Sequence, residues 1–223
     1  MEHATSTSRL TALTGGKDMR VLIMVDDDAF AELRVDQVAN LDLHTGMDLD
    51  VGLLERIKER EASDKAFLYC VRILARRMYS AGELRDKMKK RDHPPQAIQM
   101  AIEDLTLKNY LNDEAYGRAV IRRINNYKPA GRPLLKQKLY RKKLDPKLID
   151  QLLDESEATR DIVAEARAFA SKRLAQTGMQ RCEPQKRKQR IWSQLARRGF
   201  NYDVISEALK DLPSLTSTAG DDI

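Results

Sequence analysis

"QLARRGFNYDVISEAL", residues 194–209, sets a basic helix end against a short apolar-aromatic turn and then a second helical pattern. Two upstream stretches follow the same ruler. Leu195, Phe200, Val204, Ile205, Ala208 and Leu209 stand at the offsets of Leu139, Leu144, Leu148, Ile149, Leu152 and Leu153 in "KLYRKKLDPKLIDQLL". In "KMKKRDHPPQAIQMAI" the same offsets fall on Met88, His93, Ala97, Ile98, Ala101 and Ile102. One helical turn earlier, Leu84, Leu135 and Ile191 each precede Met88, Leu139 and Leu195 by four positions. Steps of 51 and 56 residues separate the copies, and self-similarity at such a period marks a repeated helical unit.

Composition agrees with small units. The 223 residues are 42% hydrophobic, 5% aromatic and 33% charged, which suits modest cores with wide polar faces better than one thick core. Each copy reads as three short helices. In the first, Phe67, Cys70, Val71 and Leu74 share a helical face; Ser80 followed by Glu83 forms a capping box; Pro94-Pro95 opens a third helix. In the second, Tyr116, Ala119, Val120 and Ile124 align before the "KPAGRP" break, and Pro133 opens the next helix. The third starts near Asp161 with Ile162, Ala166, Phe169 and Ala170, and Gly199 ends its second helix.

The expected fold is therefore mainly α: three tandem three-helix, helix-turn-helix-like repeats in an elongated body, preceded by a small strand-rich element. Residues 1–18 and 213–223 read as disordered tails, 19–57 as the strand-rich element, and 58–110, 111–156 and 157–212 as the repeats. Within the element, "MRVLIMV" and the partly alternating stretch from Ala29 to Asp50 read as strands, with "DDD" between them as a solvated hairpin turn.

Catalytic patterns are not found. His3, His44 and His93 have no metal-site spacing, His93 sits at a packing position, and no phosphate-cradling loop, nucleophile elbow or paired catalytic carboxylates stand out. The chain reads as a binding protein without enzymatic activity or cofactor. Cys70 and Cys182 fall in different repeats, so neither a disulfide framework nor a thiol metal site is expected. No apolar run reaches the ~20 residues of a membrane span, and the N-terminal sequence lacks a signal-peptide core, so a cytoplasmic monomer without membrane contact is expected.

Charge carries the functional signal. The formal net charge is +6, yet residues 1–60 hold 7 Lys/Arg against 12 Asp/Glu, leaving 33 against 22 in the rest, a net of +11. Between Ala115 and Leu144 there are ten Lys/Arg and no Asp/Glu. Solvated faces normally mix signs, so such a run points to a polyanion, most naturally nucleic acid. The candidate binding residues there are Arg118, Arg122, Arg123, Lys136, Arg141, Lys142 and Lys143. A second basic stretch, residues 181–198, adds Arg190, Arg197 and Arg198.

In that order and spacing, "SAGELRDKM", "AIEDLTLKNYLNDEAYGRAVIRR", "RPLLKQKLYRKKLDPKLIDQLL" and "SQLARRGFNYDVISEAL" resemble the RecX family of regulatory proteins, over roughly Met19 to Leu212. The resemblance implies a protein that binds the RecA recombinase filament on single-stranded DNA, lies in its groove, and inhibits strand exchange, ATP turnover and co-protease activity. A DNA-binding chromatin or transcription factor acting on nucleic acid alone is the alternative reading. Family repeats usually place Gly before the turn hydrophobe, as Gly199 does; Lys143 and the "RDH" of the first repeat depart from this, which predicts turns that bend differently.

Overall fold

The computed structural model describes residues 8–15, 20–180, 182–210 and 212. The tails expected at 1–7 and 213–223 lie outside the described residues. Four separate cores organise what is described: one under a sheet and one in each three-helix repeat. By contact the chain divides into two compact units, residues 1–112 and 113–223.

The first unit opens on a four-stranded antiparallel sheet. Its strands are β1 (Ser8–Gly15), β2 (Arg20–Val25), β3 (Asp28–Arg34) and β4 (Asp48–Leu49), in the order β3-β2-β1-β4. The tail expected over residues 1–18 is thus corrected for Ser8–Gly15: β1 buries Leu10 completely and hydrogen-bonds to strands on both sides. "DDD" does form the hairpin turn. Asp26 and Asp27 both take positive φ, 51° and 66°, the signature of a type I′ turn whose twist suits a two-residue hairpin. Beyond β3 the expected strand pattern gives way to the single-turn helix α1 (Val35–Asn40).

Helix α2 (Val51–Leu74) runs straight through the boundary expected at 57/58. Ile57 belongs to the sheet core, while Ala66, Phe67 and Cys70 belong to the first three-helix core with α3 (Ala81–Lys89) and α4 (Pro95–Leu107). Burial pushes the Cys70 thiol up to about 12, as an inert core thiol requires. The Ser80–Glu83 capping box is present in full, and Ala97, Ile98, Ala101, Ile102 and Leu105 are all buried.

Between the sheet and this repeat lies a buried ionic network. The Arg34 backbone N–H donates to Asp64 Oδ2 at 2.8 Å and its Nε to Oδ1 at 2.7 Å, while Nη2 reaches Asp104 Oδ2 at 2.6 Å. Gln37 also donates to Asp104, and the Arg34 guanidinium lies 4.0 Å from the centroid of the Phe67 ring. Burial opposes the Arg34 charge, but Asp64, Asp104 and Asp36 outweigh it and hold its pKa above the ordinary value. The Asp64 carboxyl is shifted up, because its burial costs more than the hydrogen bonds from Arg34 return.

The second unit holds two repeats. One consists of α5 (Asp113–Tyr127), α6 (Arg132–Arg141) and α7 (Pro146–Ala158), where Leu139, Leu144, Ile149 and Leu153 share a core. Gly117 lets α5 approach α7 closely: a Cβ there would meet Leu152 Cδ1 at 2.4 Å. In the other, α8 (Ile162–Leu174) packs with α10 (Pro184–Arg197) and α11 (Tyr202–Leu209), and the short α9 (Thr177–Gln180) fills the break between α8 and α10. Leu195, Phe200, Ile205 and Leu209 lie in one core, as the repeat ruler predicts.

The turns after α3, α6 and α10 do not bend differently. Asp92, Lys143 and Gly199 occupy equivalent positions with φ of 59°, 56° and 80°, all in the left-handed region. That backbone lets the preceding helix end by returning N–H groups to its last carbonyls, from His93 to Met88 and from Phe200 to Leu195, both at 3.3 Å. The geometry belongs to the repeat, and two copies build it without glycine at a conformational cost of about 1 kcal/mol each. Glycine is required in the third copy because a Cβ on Gly199 would meet the Leu134 backbone nitrogen at 2.7 Å, and its partner in the contact, Gly131, is equally constrained. A Cβ on Gly131 would stand 1.9 Å from the Gly199 carbonyl oxygen, and the Gly131 N–H donates to the Arg198 carbonyl at 2.9 Å.

Candidate nucleic-acid interface

The basic run is not one uniform face. Helix α7 follows it immediately and carries Asp150, Asp154, Glu155 and Glu157, which reach back across the repeat. Arg118 on α5 pairs with Glu155 at 2.9 Å and with Glu114 at 2.5 Å. On α6, Arg132 binds Asp154 at 2.7 Å and Glu157 at 2.9 Å, and Lys136 binds Asp150 at 2.6 Å. Hydrogen bonds donated to these carboxylates raise the pKa of Arg118, Arg132 and Lys136, and Glu155, accepting bonds from Gln151 and Arg118, is shifted down.

Arg198 is turned inward. Its Nε donates to the Pro129 carbonyl at 2.5 Å and its Nη2 to that of Lys128, fastening the third repeat to the loop before α6. Burial, with Arg173 nearby, depresses its pKa. Arg160 supports the same loop through the Ala130 carbonyl at 3.3 Å.

Four cations of the run remain open. Arg122 and Arg123 on α5, and Lys138 and Arg141 on α6, are exposed and form no ion pair among the described residues. Lys143 is exposed in the left-handed turn, and Lys142 is half-buried beside it. In the third repeat Arg190 and Arg197 are exposed on α10; Arg190 Nη1 lies 2.7 Å from Cys182 Sγ, and Arg197 Nε donates to the Ser193 carbonyl at 3.2 Å. Of the ten candidates, Arg118 and Lys136 are neutralised, Arg198 is structural, and Arg122, Arg123 and Arg141 are exposed with no ion pair among the described residues. A window closing at Leu144 hides this, because the compensating carboxylates begin six residues later. Lys138 is an open cation of this run that the candidate set leaves out.

Among the described residues no His, Cys, Asp or Glu cluster could hold a metal ion, and no helix is long and apolar enough to cross a membrane. The surface can attract polyanions through fixed charge.

Comparison with known proteins follows the same division into repeats. The family profile described as RecX, first three-helix domain, matches residues 66–105, and that described as RecX, third three-helix domain, matches 161–209. "Regulatory protein RecX" of Pelodictyon phaeoclathratiforme is 32% identical over 145 residues, covering 65% of this chain and 87% of that protein. Its counterpart in Geobacillus thermodenitrificans is 29% identical over 194 residues, covering 86% and 71%. A crystal structure of regulatory protein RecX shares the fold with a TM-score of 0.74 at 22% identity, spanning 92% of this chain and all of that one. The repeat ruler, the left-handed turns and these matches agree, and the chain belongs to the RecX family of regulatory proteins.

Proposed function

We propose that this protein is a negative modulator of the RecA recombinase. It binds the RecA filament on single-stranded DNA and inhibits recombinase, ATPase and co-protease activities in DNA repair, in the cytoplasm and without an enzymatic activity of its own. Membership of the RecX family carries the proposal. The open cations support it, since a filament on DNA offers both phosphates and acidic protein surface. The alternative, a DNA-binding chromatin or transcription factor, needs no recombinase for tight binding.

Arg122, Arg123 and Arg141 are the residues on which the binding rests. Each phosphate contact on a single strand contributes about 0.7 to the slope of log affinity against log salt. Reversing all three to Glu is expected to weaken binding to the RecA–DNA filament and to flatten that slope by up to about 2. Pull-down of the filament across a salt series, with and without DNA, measures this. Unchanged affinity and slope in a folded triple variant would reduce the open cations to a solvated face.

A further inference from the structure

We propose that the outer face of α10 is a stacking site for unpaired nucleic-acid bases, with Trp192 and Tyr202 receiving bases and Lys186, Arg190 and Arg197 receiving phosphates. It rests on the nucleic-acid part of the reading above and gives that part a place on the third repeat.

Trp192 is the single tryptophan of the chain. Partly buried, it packs against the third-repeat core and also lines a shallow groove of about 500 Å³ with Gln185, Lys188, Gln189 and Ser193. Tyr202, at the first position of α11, is 71% exposed and meets Trp192 edge to face, with ring centroids 5.1 Å apart and planes at 61°. A second groove on the same helix shares Gln189 and Ser193 and is lined further by Lys186, Arg190 and Arg197. An aromatic groove and a cationic groove thus run side by side.

The carboxylates nearby are few. α10 contains none; Glu183 at its N-cap pairs with Lys186 at 3.3 Å, and Asp203 is exposed next to Tyr202. Large aromatics left open beside cations are the arrangement by which single strands are held, because every unpaired base offers a π-face while its phosphates seek positive charge. A duplex keeps those faces stacked inside. A protein partner fits less well, since the centres of protein interfaces are depleted of charged residues, whereas cations border both grooves here.

The lone tryptophan makes the test direct. The full-length protein, without recombinase, is titrated with dye-labelled oligothymidylate and, separately, with heparin, a polyanion that has no bases. Trp192 emission is expected to be quenched in step with oligothymidylate binding and to stay unchanged as heparin binds. Tyr202→Ala is expected to weaken oligothymidylate binding about ten-fold, within the range for loss of one stacking contact, and to leave heparin binding unaltered. Trp192→Phe is expected to retain more affinity than Trp192→Ala. Oligothymidylate binding without quenching, equal losses for both polyanions, or equal quenching by heparin would each overturn the site. With no recombinase in the cell, failure here leaves RecA inhibition standing, and absence of RecA inhibition leaves base stacking standing.

Discussion

Arg34→Ala is expected to destabilise the first unit by about 3–5 kcal/mol, the usual penalty for removing one partner of a buried ion pair. The side chains of Arg34 and Asp64 are 9% and 2% exposed, so water cannot replace the lost guanidinium, and Asp64 keeps a buried charge with only a backbone N–H to answer it. Asp104 loses its bond at the same time, and Phe67 loses the cation above its ring. The adjacent residue provides the contrast. Lys65 pairs with Glu61 at 3.1 Å, one turn away on the same helix, but is 59% exposed; Lys65→Ala is expected to cost no more than about 0.5 kcal/mol. Native-state hydrogen exchange over residues 20–105 distinguishes the two. Similar small losses for both variants would mean that the sheet and the first repeat are held together by their apolar contacts alone.

Ile205→Ala is expected to cost about 2–5 kcal/mol, because Ile205 is 1% exposed and its truncation removes buried methyls and leaves a cavity in the third-repeat core. For a unit of this size that is a large part of the available stability. The loss is expected to concentrate in the third repeat, which has its own core, and to reach the second through the Gly131–Gly199 contact and Arg198. Residues 66–105, with a separate core, are expected to keep their protection. Hydrogen exchange resolves this pattern. Uniform loss across all three repeats would indicate one cooperative core, and no loss anywhere would contradict the placement of Ile205.

The two variants also mark where sequence reading succeeds and where it stops. Ile205 was legible because buried apolar residues recur at fixed offsets, and a period of about fifty residues survives any change of individual letters. The left-handed turns were legible at Gly199 but not at Asp92 or Lys143, where the backbone geometry persists without the residue that advertises it. Arg34 gave no signal. Its partners lie 30 and 70 residues away, and nothing local distinguishes it from a surface arginine at a strand end. β1 was missed for a different reason: although it pairs mainly with the next strand, β2, a Ser/Thr-rich stretch with one fully buried leucine has little intrinsic pattern. The charge run was visible as composition, but which cations stay open depends on α7 folding back over α5 and α6.

The central claim, control of RecA by this protein, is tested most directly by the rate of single-stranded-DNA-dependent ATP hydrolysis by RecA as the protein is added from substoichiometric to excess amounts. The account predicts a progressive fall in rate, with strand exchange lost in parallel. An unchanged ATPase rate and undiminished strand exchange at excess protein would contradict it.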